Sequence, residues 1–251
     1  MKTPVDWEGL FEDYEAYRTT PQPAKPFEMP GAALHAISFP TPEDVRSITA
    51  ALSDDKRKWL VAEVAASSKG KLAQIFLKPM LDAAIDEVNP SYNRSFIEPC
   101  LQSVGFRPVN DYLLEVLQTG TDFRKAGAAN ALYWAQMGLS FPPGTTVFTV
   151  EHATPESQAE YAALADLWDR KKLLLLETFV WNPSVDVRRS IIPKLDLDAR
   201  SYPESHRQMV ARAIEQARSS DDDYIRHRIE VQLGNVNVFA PLPHREKQKS
   251  G

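Results

Sequence analysis

The feature that most constrains this 251-residue chain is a ten-residue frame that recurs five times. It is clearest at residues 187–196, VRRSIIPKLD, and 225–234, IRHRIEVQLG, where a β-branched residue comes first, arginine second, isoleucine fifth and leucine ninth. Residues 93–102 fit the same frame and share with the first window a proline at the seventh place, Pro99 and Pro193. Residues 56–65 fit with Val64 at the ninth place, and residues 123–132 start in frame and slip by one at their end. The second-place arginines are Arg57, Arg94, Arg124, Arg188 and Arg226, separated by 37, 30, 64 and 38 residues: three single periods and one enlarged by an insertion. A period of this length marks stacked supersecondary units, none of which can cover its apolar face alone.

Inside each window the apolar residues fall at helical spacing and give one buried stripe. Asp55, Asp122, Asp186 and Asp223 stand two or three places before four of the five arginines. A carboxylate there suits a helix start, where it caps free N–H groups and faces the positive end of the helix dipole. Upstream of each window lies a second amphipathic stretch, beginning at Pro42, Lys71, Val109, Glu156 and Glu204, and turn signals such as Asn89-Pro90 and Asn182-Pro183 divide the two. Each pair is expected to be a helical hairpin.

On these residues the chain resembles the HEAT-repeat family, particularly its short bacterial form. There the second helix opens with aspartate, a β-branched residue and arginine, as at Asp186-Val187-Arg188. The resemblance covers about residues 41–234 and implies an all-α fold: a right-handed α-solenoid of about five HEAT-like helical pairs, with the second helices lining the concave face. It also implies a role for the repeated charges. Asp55, Arg57, Arg94, Asp122, Arg124, Asp186, Arg188, Asp223 and Arg226 are expected to form a structural ladder between successive units, the alternative being a row that binds anions.

Residues 1–40 stand outside the pattern. A short helix burying Trp7, Leu10, Phe11 and Tyr14 is expected to cap the first repeat, followed by a proline-rich connector. The insertion at 138–155 reads as a packed loop rather than a lone strand. The tail, 235–251, is apolar and then basic, with residues 236–239 expected to dock.

The sequence carries few marks of chemistry. No glycine-rich phosphate loop or Gly-x-Ser-x-Gly elbow occurs, and the five histidines include no His-x-x-x-His pair. No metal or cofactor is expected. Cys100, the single cysteine, reads as a small buried hydrophobe and fits a reducing, cytoplasmic setting, and the acidic start of the chain does not read as a signal peptide. The longest apolar run, residues 173–181, is broken by Glu177 and is about half a membrane span.

Two functional classes remain open. One is a non-catalytic scaffold that binds a protein partner on its concave face, in a narrower form an immunity or assembly factor sequestering one specific protein. The third place of the frame should face outward, so Lys58, Lys125, Arg189 and His227, with Trp134 beside the insertion, are the expected partner-binding residues, and their charge favours an acidic partner surface. The other is an enzyme like the HEAT-like alkylpurine DNA glycosylases, with Trp134, Trp181 and Asp186 at the lesion and Lys58, Lys125 and Arg189 on phosphates. The net charge of −5 disfavours nucleic acid.

Overall fold

The computed structural model describes residues 5–21 and 25–236. These hold thirteen α-helices, a few short 3-10 turns and no strand. In chain order the helices are α1 (Trp7–Thr19), α2 (Gly31–Ser38), α3 (Pro42–Leu52), α4 (Lys58–Ser67), α5 (Leu77–Asp86), α6 (Arg94–Val104) and α7 (Phe106–Thr119). They continue with α8 (Asp122–Trp134), α9 (Pro155–Ala162), α10 (Ala165–Trp181), α11 (Val185–Ile191), α12 (Glu204–Arg218) and α13 (Asp223–Gln232).

Local chemistry explains most boundaries. Thr41 and Asp44 form a reciprocal capping box in front of α3, with Pro42 in the first turn, where its missing N–H costs nothing. Thr121, Ser184 and Asp222 cap α8, α11 and α13 through their side chains. Pro193 ends α11 as a regular helix: without an N–H it cannot continue the ladder, and Ile192–Lys194 tightens into a 3-10 turn.

Five hairpins follow one another: α3 with α4, α5 with α6, α7 with α8, α10 with α11, and α12 with α13. The first helices α3, α5, α7, α10 and α12 contact one another in that order, and the second helices α4, α6, α8, α11 and α13 do the same. Their facing stripes make one continuous core that includes Leu60, Phe76, Phe96, Leu113 and Phe179. The packing of α5 on α8 is close enough to require glycine. A Cβ on Gly127 would lie 1.9 Å from the carbonyl oxygen of Ile85.

Trp7, Leu10, Phe11 and Tyr14 are all buried, and α1 lies on α3, where the Trp7 indole N–H donates to the Asp44 carboxylate at 2.8 Å. Burial pushes the Asp44 carboxyl up, but hydrogen bonds from Trp7 and Thr41 outweigh it and hold the group below its ordinary value. Two local features differ from expectation. The connector after α1 contains a further helix, α2, which puts Ala33, Ala36 and Ile37 into the core. The stretch from Glu156 to Trp181 is not one helix; it breaks after Ala162, and Arg107 straddles the break by donating to the Ala163 carbonyl at 3.2 Å and to Asp166 at 2.7 and 2.8 Å. The insertion is an irregular loop with one 3-10 turn, closed where the Thr154 N–H meets the Ser140 carbonyl at 2.8 Å. The expected docking of 236–239 lies almost wholly outside the described residues.

Candidate functional site

The five frame arginines make five different sets of contacts. Arg57 reaches back to Glu8 on α1 at 2.8 Å and lies over the Phe11 ring. Arg94 pairs with Glu98 on its own helix at 2.6 Å and lies over Trp134. Arg124 bridges two hairpins, donating to Asp82 and Asp86 on α5. Arg188 has no carboxylate partner among the described residues; its Nε donates to the Phe179 carbonyl in the last turn of α10 at 3.1 Å, and burial lowers its pKa. Arg226 donates to Asp223 and to the Ser220 carbonyl.

The aspartates of the frame behave as variously. Asp55 accepts from Lys58, Asp122 accepts from Asn182 at 2.8 Å, and Asp186 is exposed and pairs with no cation among the described residues. The preceding acid is the partner of its arginine only at Asp223. A shared place in the frame fixes where the side chain starts, but the arginine takes whichever acceptor its neighbours present.

The outward row also needs one correction. Lys58 is 5% exposed and is held by Asp55 and Glu87, each at 2.9 Å. Burial lowers its pKa, but the bonds and charges of the two carboxylates outweigh this and raise it. It ties the first hairpin to the second and is not a free surface cation, because Glu87 at the end of α5 reaches over it. Lys125 and His227 are half-buried and pair with no carboxylate.

Trp134 and Arg189, by contrast, come together. They share a cleft of about 390 Å³ with Tyr133, Tyr224, Lys194 and Asn130, and no carboxylate lines it. The Trp134 indole donates to the Pro90 carbonyl at 2.8 Å, Arg189 lies 5.4 Å from the Tyr224 ring centre, and Lys194 lies 5.9 Å from that of Tyr133. Arg189 faces Asp222 at 3.7 Å, beyond hydrogen-bond range, with half its side chain exposed.

A second cavity of about 460 Å³, which shares Lys194 with this cleft, lies between α10 and the 3-10 turn Ile192–Lys194. It draws Lys171 and Lys172 from α10 and Lys194 from the turn. Lys171 donates to the Leu132 carbonyl at 3.2 Å, and Lys194 to that of Ser190 at 2.6 Å. Burial brings Lys171 down from 10.5 to about 8; burial, then the charges of Lys171 and Arg228, bring Lys194 to the same value. The Nε of Arg228, on α13, is shut off from solvent without an acceptor. Sequence reasoning missed this cluster. Lys194 and Arg228 do occupy the eighth and fourth places of successive windows, and their meeting follows from stacking α11 on α13.

The three glycosylase-like residues are not gathered at one place. The Asn182–Asp122 bond sets the start of α11 beside the start of α8, whereas Trp134, Ser190 and Pro193 meet at the other ends. Trp134 ends α8, whereas Asp186 lies in the first turn of α11 and does not line the cleft that Trp134 shares with Arg189. Trp181 is exposed, with the Arg212 guanidinium 4.1 Å from its ring centre. Cys100 is fully buried and its thiol is pushed up to about 12, which removes it as a nucleophile. Among the described residues no cluster of His, Cys, Asp or Glu could hold a metal, and no helix is long and apolar enough to cross a membrane. Comparison with family models, curated proteins and solved structures finds no match to this chain.

Proposed function

We propose that the chain is a non-catalytic binding module: a right-handed α-solenoid of five HEAT-like helical pairs that takes an acidic protein partner on its concave, second-helix face. The succession of hairpins, each contacting the next through like-numbered helices, supports the solenoid. The cleft around Trp134 and Arg189 carries the functional reading, because its wall combines three aromatic rings with two cations and contains no carboxylate. Trp, Tyr and Arg are the residues on which binding energy concentrates at protein interfaces.

The test is affinity purification from the native host with wild type and an Arg189→Glu, Tyr133→Ala variant, followed by titration of the recovered partner against both. The partner is expected to be acidic at its contact surface and to bind the variant at least tenfold more weakly. Equal affinity for both proteins would overturn the site. Tight, salt-sensitive binding of duplex DNA, or release of an alkylated base that is lost in Asp186→Asn, would overturn the function in favour of the glycosylase.

A further inference from the structure

Lysines from two elements line the second cavity, and a third element brings a further cation close enough to act on one of them. Lys171 comes from α10, Lys194 from the turn after α11, and Arg228 from α13. Two carboxylates do line the cavity, but both are turned to other uses. Asp196 accepts from the Ser201 hydroxyl and the Asp198 N–H, and Asp169 is largely exposed and lies 3.5 Å from Lys172. Lys172 in turn donates to the Ser201 carbonyl.

Helix capping accounts for only part of this arrangement. Leu132 and Ser190 lie in the last turns of α8 and α11, where a cation is favourable, so each lysine has a structural use. An ammonium has three donors, however, and each of these two uses one on protein. Capping does not require the two to share a cavity with Arg228 nearby, where like charges disfavour one another. The remaining wall includes Tyr161, Trp168 and Leu175, and about 460 Å³ is within the range of small-molecule sites and much larger than a bare oxyanion.

We propose that this cavity binds a small organic phosphate, with its oxyanion on Lys171 and Lys194 and its organic part against Trp168 and Tyr161. The phosphate supplies charged acceptors to the ammonium donors that face the cavity, and its charge offsets the repulsion among the cations. A protein paying for such a cluster in stability recovers it on binding. The site is independent of the partner cleft in its chemistry and shares with it only Lys194.

The test is thermal unfolding at pH 7.5 and constant ionic strength, with pyrophosphate and with AMP as probes and sodium chloride as the control. A saturable rise in Tm is expected with both, roughly 5–10 °C at a hundredfold excess over Kd, and none with chloride. Lys171→Met, Lys194→Met should keep the helical spectrum and lose the rise. If that double variant does not fold, Lys171→Gln alone, titrated calorimetrically, is expected to bind AMP at least tenfold more weakly than wild type. No rise in wild type, or binding that survives loss of the lysines, overturns the site. A short single-stranded oligonucleotide that outcompetes AMP assigns the cluster to nucleic acid and overturns the small-molecule ligand. Arg189→Glu should leave the AMP-induced rise intact, which keeps failure of this site distinct from failure of the partner cleft.

Discussion

Arg124 spans two hairpins through Asp82 and Asp86, whereas Arg188, in the same place of the frame, meets the carbonyl and ring of Phe179 and no carboxylate among the described residues. Removing Arg124 strands a half-buried pair of carboxylates, of which Asp82 keeps Lys78 and the Tyr112 hydroxyl. Arg124→Ala is therefore expected to cost about 2 kcal/mol, between exposed and buried ion pairs. Arg188→Ala loses one charge-assisted bond and no ion pair, and should cost about 1 kcal/mol. Urea denaturation of both variants checks the order, and a larger loss at Arg188 would contradict it.

The half-buried lysines Lys171 and Lys194 give stability an unusual pH dependence. Lys171 and Lys194 have folded pKa values near 8 against 10.5 when exposed, so above pH 8 the unfolded chain holds protons that the native one has released. Where the unfolded state binds more protons, stability rises with pH. A gain of about 1–2 kcal/mol is expected between pH 7.5 and 9, measured by the denaturant midpoint. Near pH 9 the opposite contribution of Cys100 begins, since its thiol ionises in the unfolded chain and stays protonated in the native one up to about 12. The rise should therefore flatten above pH 9 and continue in Cys100→Ala. The lysine pair was invisible in the sequence because neither residue belongs to an ionic motif, and only tertiary packing strips away their water.

At the scale of the helix, Gly127 shows what close stacking demands. Glycine inside a helix is disfavoured by about 1 kcal/mol against alanine, yet here the Ile85 carbonyl occupies the space a methyl would need. Gly127→Ala is expected to destabilise by about 2–3 kcal/mol, because the obstacle is backbone and cannot rotate away. Gly31→Ala, which meets nothing within 4 Å, should be neutral or slightly stabilising. The α1 helix depends on one polar contact as well as its apolar face: Trp7→Phe keeps the ring but leaves a buried carboxylate oxygen without its donor, at about 1–3 kcal/mol. Thermal unfolding of these variants tests both predictions.

The helices of the hairpins were legible because periodicity, caps and prolines all point to the same boundaries. Arg107 explains why the break after Ala162 was not: its effect on that backbone comes from more than fifty residues away. Helix α2 was overlooked for a different reason. Ala33, Ala36 and Ile37 do carry the spacing, but eight residues following several prolines read as connector.

Across the whole molecule, local periodicity shows which helices pair and says little about what the pairs enclose. Trp134 and Arg189 could be singled out from the sequence, each from its place beside the insertion or on the frame. Tyr133 comes with its neighbour Trp134, but Tyr224 and Lys194, which complete the same cleft, could not be found, because one stands just before its window and the other at an eighth place, and only packing brings them there. Lys58 shows the converse, since its frame place points outward until Glu87, from the neighbouring hairpin, closes over it.

Lys194 belongs to the walls of both cavities. An ammonium engaged by a ligand in one cavity has fewer donors left for the other, so the two proposed occupancies are expected to influence one another. Thermodynamic reciprocity then applies: whatever factor a phosphate imposes on partner affinity, the partner imposes on phosphate affinity. On the proposed reading of both cavities, this one side chain would link the level of a small phosphate to how firmly a partner is held.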